Sequence, residues 1–159
     1  MNTVDVQIEI PSGQTVKYEI DHKTHQLKCD RFLHVPFAYP FNYGYILNTL
    51  GGDGDPLDAV VICKPSLYPS CLINCRIIGA LITSDENGQD EKILLVPDIK
   101  VDPYSKHINT YTDLDQHTLN EIEYFFKHYK DLEVNKYVTV NGFVSLEEAV
   151  EIYNRCKLV

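Results

Sequence analysis

The sequence has no tryptophan and one methionine, and its 14 lysines and arginines are outnumbered by 23 aspartates and glutamates. A net charge of −9 gives no positive surface for nucleic-acid phosphates or an anionic membrane. No apolar run approaches the roughly 18 residues of a membrane span, and the N-terminus lacks a basic and then apolar signal layout. We therefore expect a cytoplasmic protein that binds neither nucleic acid nor membrane.

Cysteine is present, but not in the pattern of a disulfide framework or a zinc site. The five cysteines form no CxxC pair, and no histidine lies at zinc spacing from them. We expect reduced thiols that are mostly buried. With 159 residues and a 44% hydrophobic composition, the chain is expected to form one domain over residues 1–159.

One short loop is unusually acidic. Asp53, Asp55 and Asp58 fall within six residues, directly before an apolar strand. Carboxylates this close repel one another unless a cation lies between them, and hard divalent cations prefer oxygen ligands. The loop is not an EF-hand, because that motif needs Gly at its sixth position and Glu at its twelfth, where this chain has Asp58 and Lys64.

Apolar and polar residues alternate over residues 4–10 and 16–20, which predicts two strands. If these strands paired, Glu9, Lys17 and Glu19 would share one face, although a solvated outer face explains the same alternation. An aromatic loop over residues 37–45 serves either core packing or hydrogen bonding from tyrosine hydroxyls to oxyanions. Further β-rich segments are predicted over residues 59–63, 72–83 with a bend or bulge at Gly79, 93–97 and 137–140.

The second half of the chain adds a hairpin and two helices. Asn87-Gly88 between two apolar runs predicts a hairpin turn, which carries four carboxylates. Capping boxes that start at Thr118 and Ser145 predict the beginnings of two helices. Strands followed by helices, without βαβ alternation, indicate an α+β, mainly β protein with a small antiparallel barrel and helices packed outside.

Residues 53–59 resemble, at every position, the signature of the family I soluble inorganic pyrophosphatases, D-[SGDN]-D-[PE]-[LIVMF]-D-[LIVMGAC]. The likeness continues in order through residues 8–11, 17–21, 30–32, 39–46, 85–92 and 125–133, and so covers nearly the whole chain. It implies an OB-like five-stranded antiparallel β-barrel with additional strands and two C-terminal helices packed outside.

The resemblance also implies a role for fifteen side chains, carried over position by position. Asp55 would be the general base; Asp53, Asp58 and Asp90 would bind the activating metals, and Asp85 the Mg²⁺ that arrives with the substrate. The diphosphate would be held by Lys17, Arg31, Tyr43, Lys92, Tyr129 and Lys130, with Glu9, Glu19, Tyr39 and Glu86 around these groups.

The implied activity is Mg²⁺-dependent hydrolysis of inorganic diphosphate to two orthophosphates by direct attack of a metal-bound water. Several Mg²⁺ ions would bind per active site, and other divalent ions would be able to substitute. Because the length excludes the extended arms of the fungal and animal type, the resemblance implies a compact bacterial-type homohexamer. The alternative is a non-catalytic metal- or phosphate-binding module on the same fold.

Overall fold

The computed structural model describes residues 3–159, so the first two residues of the expected domain lie outside the described residues. Eight strands and two α-helices follow one another in the described chain. They are β1 Val4–Ile10, β2 Val16–Ile20, β3 Leu27–Phe32, β4 Asn42–Ile46, β5 Asp58–Val61, β6 Leu72–Asp85, β7 Gly88–Pro97, α1 Gln116–His128, β8 Val138–Val144 and α2 Leu146–Cys156. Two short 3₁₀ helices, Pro103–His107 and Tyr111–Asp113, connect β7 to α1.

Five strands close into a barrel in the order β1-β4-β5-β7-β6, with β6 pairing back onto β1. β8 extends the sheet from β6, and β2 and β3 form a separate two-stranded sheet. The predicted α+β, OB-like five-stranded barrel with extra strands and two helices is confirmed. The pairing of β5 with β7 is parallel, whereas the other pairings in the barrel are antiparallel.

The strands in the middle of the sheet are buried on both faces, which explains their unbroken apolar sequence. In β5, Ala59 and Val61 pack on one side with helix α2, while Val60 packs on the other side with helix α1. The same alternation continues in β7, where Ile93 joins the first cluster and Leu94 the second. The two helices therefore cover opposite faces of the same strands.

The helices begin differently from each other. Ser145 is the N-cap of α2, and its hydroxyl oxygen accepts a hydrogen bond from the Glu148 N–H at 3.2 Å, as the capping box predicts. The predicted start of α1 at Thr118 is wrong, because the helix starts at Gln116 with Asp115 as N-cap. The Asp115 carbonyl oxygen accepts a helical hydrogen bond from the Leu119 N–H at 3.2 Å, so the backbone is helical before Thr118 is reached, although the Asp115 side chain forms no capping hydrogen bond.

The second half of the predicted aromatic loop is a barrel strand, β4. Its aromatic side chains alternate with small and polar residues, and Tyr43 is buried against α1 while Gly44 faces β1. A Cβ atom on Gly44 would lie 1.9 Å from the Gln7 carbonyl oxygen, so only glycine allows this close approach of β1 and β4. The other expected irregularity is confirmed, since the β6–β7 register shifts between Ile77 and Gly79.

The state of the cysteines agrees in part with expectation. All five cysteines are free; Cys75 and Cys156 are buried, Cys63 and Cys71 are half-buried, and Cys29 is exposed. Within residues 3–159, no helix is both long and apolar enough to cross a membrane.

We predict that Gly44→Ala lowers the free energy of unfolding by about 3 kcal/mol or more, because β1 and β4 must separate to admit the methyl group. Gly52→Ala is the matched control, since its added Cβ meets no atom within 4 Å. Urea unfolding of both variants measures the difference. Equal stability of the two variants would show that the β1–β4 contact does not restrict residue 44.

Candidate active site

A polar cavity of about 380 Å³ opens at one end of the barrel, where β5 and β7 begin and β6 ends. The acidic loop, the β2–β3 sheet and the end of α1 form its other walls. All fifteen side chains singled out from the sequence line this cavity. Residues that are far apart in the sequence are therefore brought together at a single site.

The acidic loop is held in a tight turn by its own backbone. The Gly51 N–H donates to the Asp55 carbonyl oxygen at 2.7 Å, and the Asp55 N–H donates to Asp53 Oδ1 at 3.0 Å. Gly54 has a φ of +87°, which favours glycine. The turn fixes Asp53 and Asp55 at the cavity, while Asp58 is fixed separately as the first residue of β5.

Lys92 connects the two acidic segments. In the parallel β5–β7 pair, Lys92 lies beside Asp58, and its Nζ is 2.8 Å from Asp58 Oδ2 and 2.7 Å from Asp90 Oδ2. Nζ also donates to the Tyr43 hydroxyl at 2.8 Å. Burial alone would lower the pKa of Lys92, but Asp58, Tyr43 and Asp90 raise it well above its ordinary value. The side chain is thus a buried, permanently charged ammonium between two carboxylates.

Three further cations lie on the walls formed by β2, β3 and the end of α1. Lys130 Nζ is 3.4 Å from Asp85 Oδ2 and 3.6 Å from Glu86 Oε2. Arg31 Nη1 donates to Asp30 Oδ2 at 2.6 Å, and Lys17 Nζ lies 3.5 Å from the same oxygen. Each cation keeps a carboxylate partner, which holds it at the cavity.

Aromatic rings form the base of the site and limit the access of water to it. Tyr39, Tyr43 and Tyr129 are each at most 8% exposed and pack with Phe125 and Phe126. Burial raises the pKa of Tyr43 well above its ordinary value, so its hydroxyl stays protonated. The core-packing possibility for the aromatic segment is realised, because Tyr39 and Tyr43 are core residues. Both also line the cavity, where hydrogen bonding from their hydroxyls to an oxyanion stays a prediction.

Glu9 lines the cavity although its strand, β1, does not pair with β2 as the sequence suggested. β1 pairs with β4 and β6, not with β2. The link to β2 is made by the Glu9 side chain, whose Oε2 accepts a hydrogen bond from the Ile20 N–H at 2.8 Å. Burial is the main reason that the pKa of Glu9 rises from 4.5 to about 7, with a smaller contribution from Asp58.

Nine carboxylates and five cations line the cavity, which leaves an excess of four negative charges. The donor set consists of carboxylate and tyrosine oxygens, which fits a hard divalent cation such as Mg²⁺. Within residues 3–159, no three acidic, histidine or cysteine side chains already surround one point as a complete ligand set. Between Asp58 and Asp90, the positive charge is that of the Lys92 ammonium group.

Several lining residues were not predicted as site residues from the sequence. Asp30 and Lys136 are the charged ones, and Asn87 and Gln89 are polar residues of the acidic hairpin. Tyr18 also lines the cavity, although alternation places it opposite Lys17, because the β2–β3 register shifts between Lys17 and Tyr18. The position of Asp30 directly before Arg31 was the one available signal; Lys136 lies in an irregular segment that has no periodicity.

Comparisons with known proteins agree with this geometry. Residues 6–158 match a family model described as inorganic pyrophosphatase. The chain is 46% identical to an inorganic pyrophosphatase of Campylobacter jejuni over 97% of this chain and 90% of the relative, and 48% identical to one of Sulfolobus acidocaldarius over 93% and 86%. The structure of an inorganic pyrophosphatase from Helicobacter pylori superimposes with a TM-score of 0.95 at 40% identity, covering 97% of this chain and 91% of that one.

We predict that the stability of the metal-free protein falls as the pH rises from about 4.5 to about 7, in part because of Glu9. In that range unfolded Glu9 is ionised while folded Glu9 still holds a proton, so the folded state binds more protons and loses stability as they are removed. The full contribution of this pKa shift is on the order of 3 kcal/mol. In Glu9→Gln the amide oxygen still accepts a hydrogen bond from the Ile20 N–H, but the side chain no longer titrates.

Urea unfolding of both proteins in EDTA from pH 5 to pH 8 measures this difference. Glu9→Gln is expected to lose less stability than the unaltered protein over this range. Parallel pH profiles would show that Glu9 does not titrate there.

Proposed function

This chain belongs to the inorganic pyrophosphatase family and is an inorganic diphosphatase; we propose that it works with Mg²⁺ and that Asp55 is the general base. The convergence of all fifteen side chains on one cavity is the observation that carries the proposal. A non-catalytic relative would not be constrained to keep every one of these polar groups in place.

The charges of the cavity account for the need for a cation. Diphosphate carries several negative charges, and the carboxylates that line the cavity outnumber its cations by four. Divalent cations reverse the local field and allow the anion to bind. We propose Asp53, Asp58, Asp85 and Asp90 as the ligands of Mg²⁺, with Glu9, Glu19 and Glu86 as further negative charges near them. When bound, Mg²⁺ supplies charge stabilisation and lowers the pKa of water toward neutrality.

Asp55 is proposed as the base because it lies between the metal-binding aspartates in the sequence and is not engaged by a cation of the site. The Asp55 N–H donates to Asp53 Oδ1, so the tight turn fixes the position of the Asp55 carboxylate. Burial raises the pKa of Asp55, and the negative charges of Asp53 and Glu19 raise it further. A carboxylate whose pKa is closer to neutrality is a better acceptor for the proton of the attacking water.

The basic residues and the tyrosines are proposed to hold the diphosphate. Lys17, Arg31 and Lys130 lie at the cavity with ammonium or guanidinium groups that donate to phosphate oxygens. Asp58 and Asp90 would hold the cations, and Lys92, whose Nζ lies beside both carboxylates, would then donate to a diphosphate oxygen. Tyr39, Tyr43 and Tyr129 line the same wall, where Tyr43 and Tyr129 add hydroxyl donors for the substrate and Tyr39 orients its neighbours.

From the family membership we also propose the domain organisation, the oligomeric state and the cellular location of the enzyme. The single pyrophosphatase domain over residues 1–159 would assemble as the compact homohexamer of the bacterial type and act in the cytoplasm. Other divalent ions would be able to replace Mg²⁺ at the oxygen ligands.

We predict that phosphate release from diphosphate requires Mg²⁺ and that Asp55→Asn lowers the rate 10²- to 10⁴-fold, because the proton acceptor is lost while the shape is kept. Asp115→Asn is the matched control, since Asp115 is exposed and its side chain caps no N–H group. The measurement is orthophosphate release with Mg²⁺ and with EDTA.

The two parts of the proposal fail separately. If the unaltered protein released no phosphate in Mg²⁺, the catalytic assignment would be wrong and the non-catalytic module would be favoured. If Asp55→Asn kept the activity of Asp115→Asn, the enzyme would stand and the base would have to be another residue.

A further inference from the structure

Arg31 forms ion pairs with two carboxylates, those of Asp30 and Glu133. Its Nε lies 3.0 Å from Glu133 Oε1, while its Nη1 donates to Asp30 at the cavity. Arg31 and Asp30 line the cavity, whereas Glu133 does not. The guanidinium is therefore clamped between a carboxylate in the site and a carboxylate outside it.

Glu133 is a costly residue to bury at this position. Its side chain is 5% exposed, and Oε2 is buried without a hydrogen-bond partner in residues 3–159. The Nε–Oε1 contact is a charge contact whose angle falls outside hydrogen-bond geometry. A buried carboxylate with one unpaired oxygen loses free energy, so stability alone does not explain it. Its position relative to Arg31 gives another explanation.

Glu133 also joins two walls of the site. It follows helix α1, where its N–H donates to the Lys130 carbonyl oxygen at 2.9 Å, and it reaches across to Arg31 on β3. Burial alone would lower the pKa of Arg31, but the hydrogen bond that it donates to Asp30 and the charge of Glu133 raise it. The ion pair therefore fixes the distance between the β3 cation and the α1 residues that close the cavity.

With Nε in ion-pair contact with Glu133 and Nη1 hydrogen-bonded to Asp30, Nη2 has neither an ion-pair nor a hydrogen-bond partner in the described residues 3–159. A guanidinium fixed at two edges presents its third in a defined direction, and little side-chain entropy is lost when it binds a phosphate oxygen. We propose that Glu133 is a positioning residue, outside the cavity, that aims the Nη2 edge of Arg31 at the diphosphate. This rests on the proposed function, in which Arg31 binds the substrate.

The proposal predicts an effect of Glu133→Gln that passes through Arg31. Gln keeps the size of the side chain but removes the charge that holds Nε, so Arg31 becomes mobile on one side. We expect KM for diphosphate to rise about tenfold and kcat to change less than threefold, because Arg31 is weakened as a binding group rather than removed. Binding of methylenediphosphonate in Mg²⁺, measured by calorimetry, should weaken by a similar factor.

A double-mutant cycle tests the route of the effect. In an Arg31→Ala background, Glu133→Gln should add less than a twofold change in methylenediphosphonate affinity. Lys136 is the second cation near Glu133, at 3.9 Å from Oε1, and it also lines the cavity. In a Lys136→Ala background the tenfold effect of Glu133→Gln should persist.

Glu121→Gln is the charge-matched control. Glu121 lies on α1, is half-exposed and pairs at 3.7 Å with His117, outside the cavity. Its removal should leave analogue affinity and KM within twofold of the unaltered protein, and thermal unfolding of every variant reports whether the fold is kept.

The proposal is overturned if Glu133→Gln leaves analogue affinity unchanged, or if it weakens binding equally with and without Arg31. It is also overturned if the effect disappears only when Lys136 is replaced, because the ion pair with Lys136 would then carry it. Failure of the proposed function is a different result, in which the unaltered protein neither hydrolyses diphosphate nor binds the analogue in Mg²⁺.

Discussion

The Lys92 ammonium lies between Asp58 and Asp90, within 2.8 Å of a carboxylate oxygen of each, and the rest of the site is arranged around this one charge. Two half-buried aspartates at the beginning of neighbouring strands would repel each other without it. Tyr43 contributes its hydroxyl as a third partner, which ties the ammonium to the aromatic core below. The lysine therefore offsets part of the negative charge that is concentrated at the open end of the barrel.

The barrel topology is what brings these groups together. The parallel pairing of β5 with β7 places Asp58 beside Lys92, and the β6–β7 hairpin places Asp85 and Asp90 on the same rim. Gly44 lets β4 approach β1 closely, and the same strand supplies Tyr43. Residues in four distant parts of the sequence thus become neighbours through strand register alone. The basic residues are added from β2, β3 and the end of α1, so acidic and basic groups line the same cavity.

Much of this arrangement was predictable from particular residues, because local patterns carry the relevant physics. The alternation in residues 4–10 and the capping box at Ser145 determine structure locally, and both were correct. The parallel β5–β7 pair was not predicted, since pairing between distant strands leaves no local pattern. The strand at Asn42–Ile46 was missed because its alternation is carried by aromatic residues that are equally typical of a packed loop. Glu133 was overlooked because its role depends on a contact with Arg31 across 102 positions of sequence, and no spacing rule reports such a contact.

A single charge argument connects these observations: because nine carboxylates and five cations line the cavity, we expect it to accept diphosphate only when divalent cations offset its negative charge. Calorimetric titration of the metal-free protein with methylenediphosphonate, in EDTA and then in millimolar Mg²⁺, tests this claim directly. The account predicts no detectable binding in EDTA and clear binding in Mg²⁺. Equal affinity under the two conditions would contradict it, because the lysines and Arg31 would then be sufficient to hold the anion without any metal.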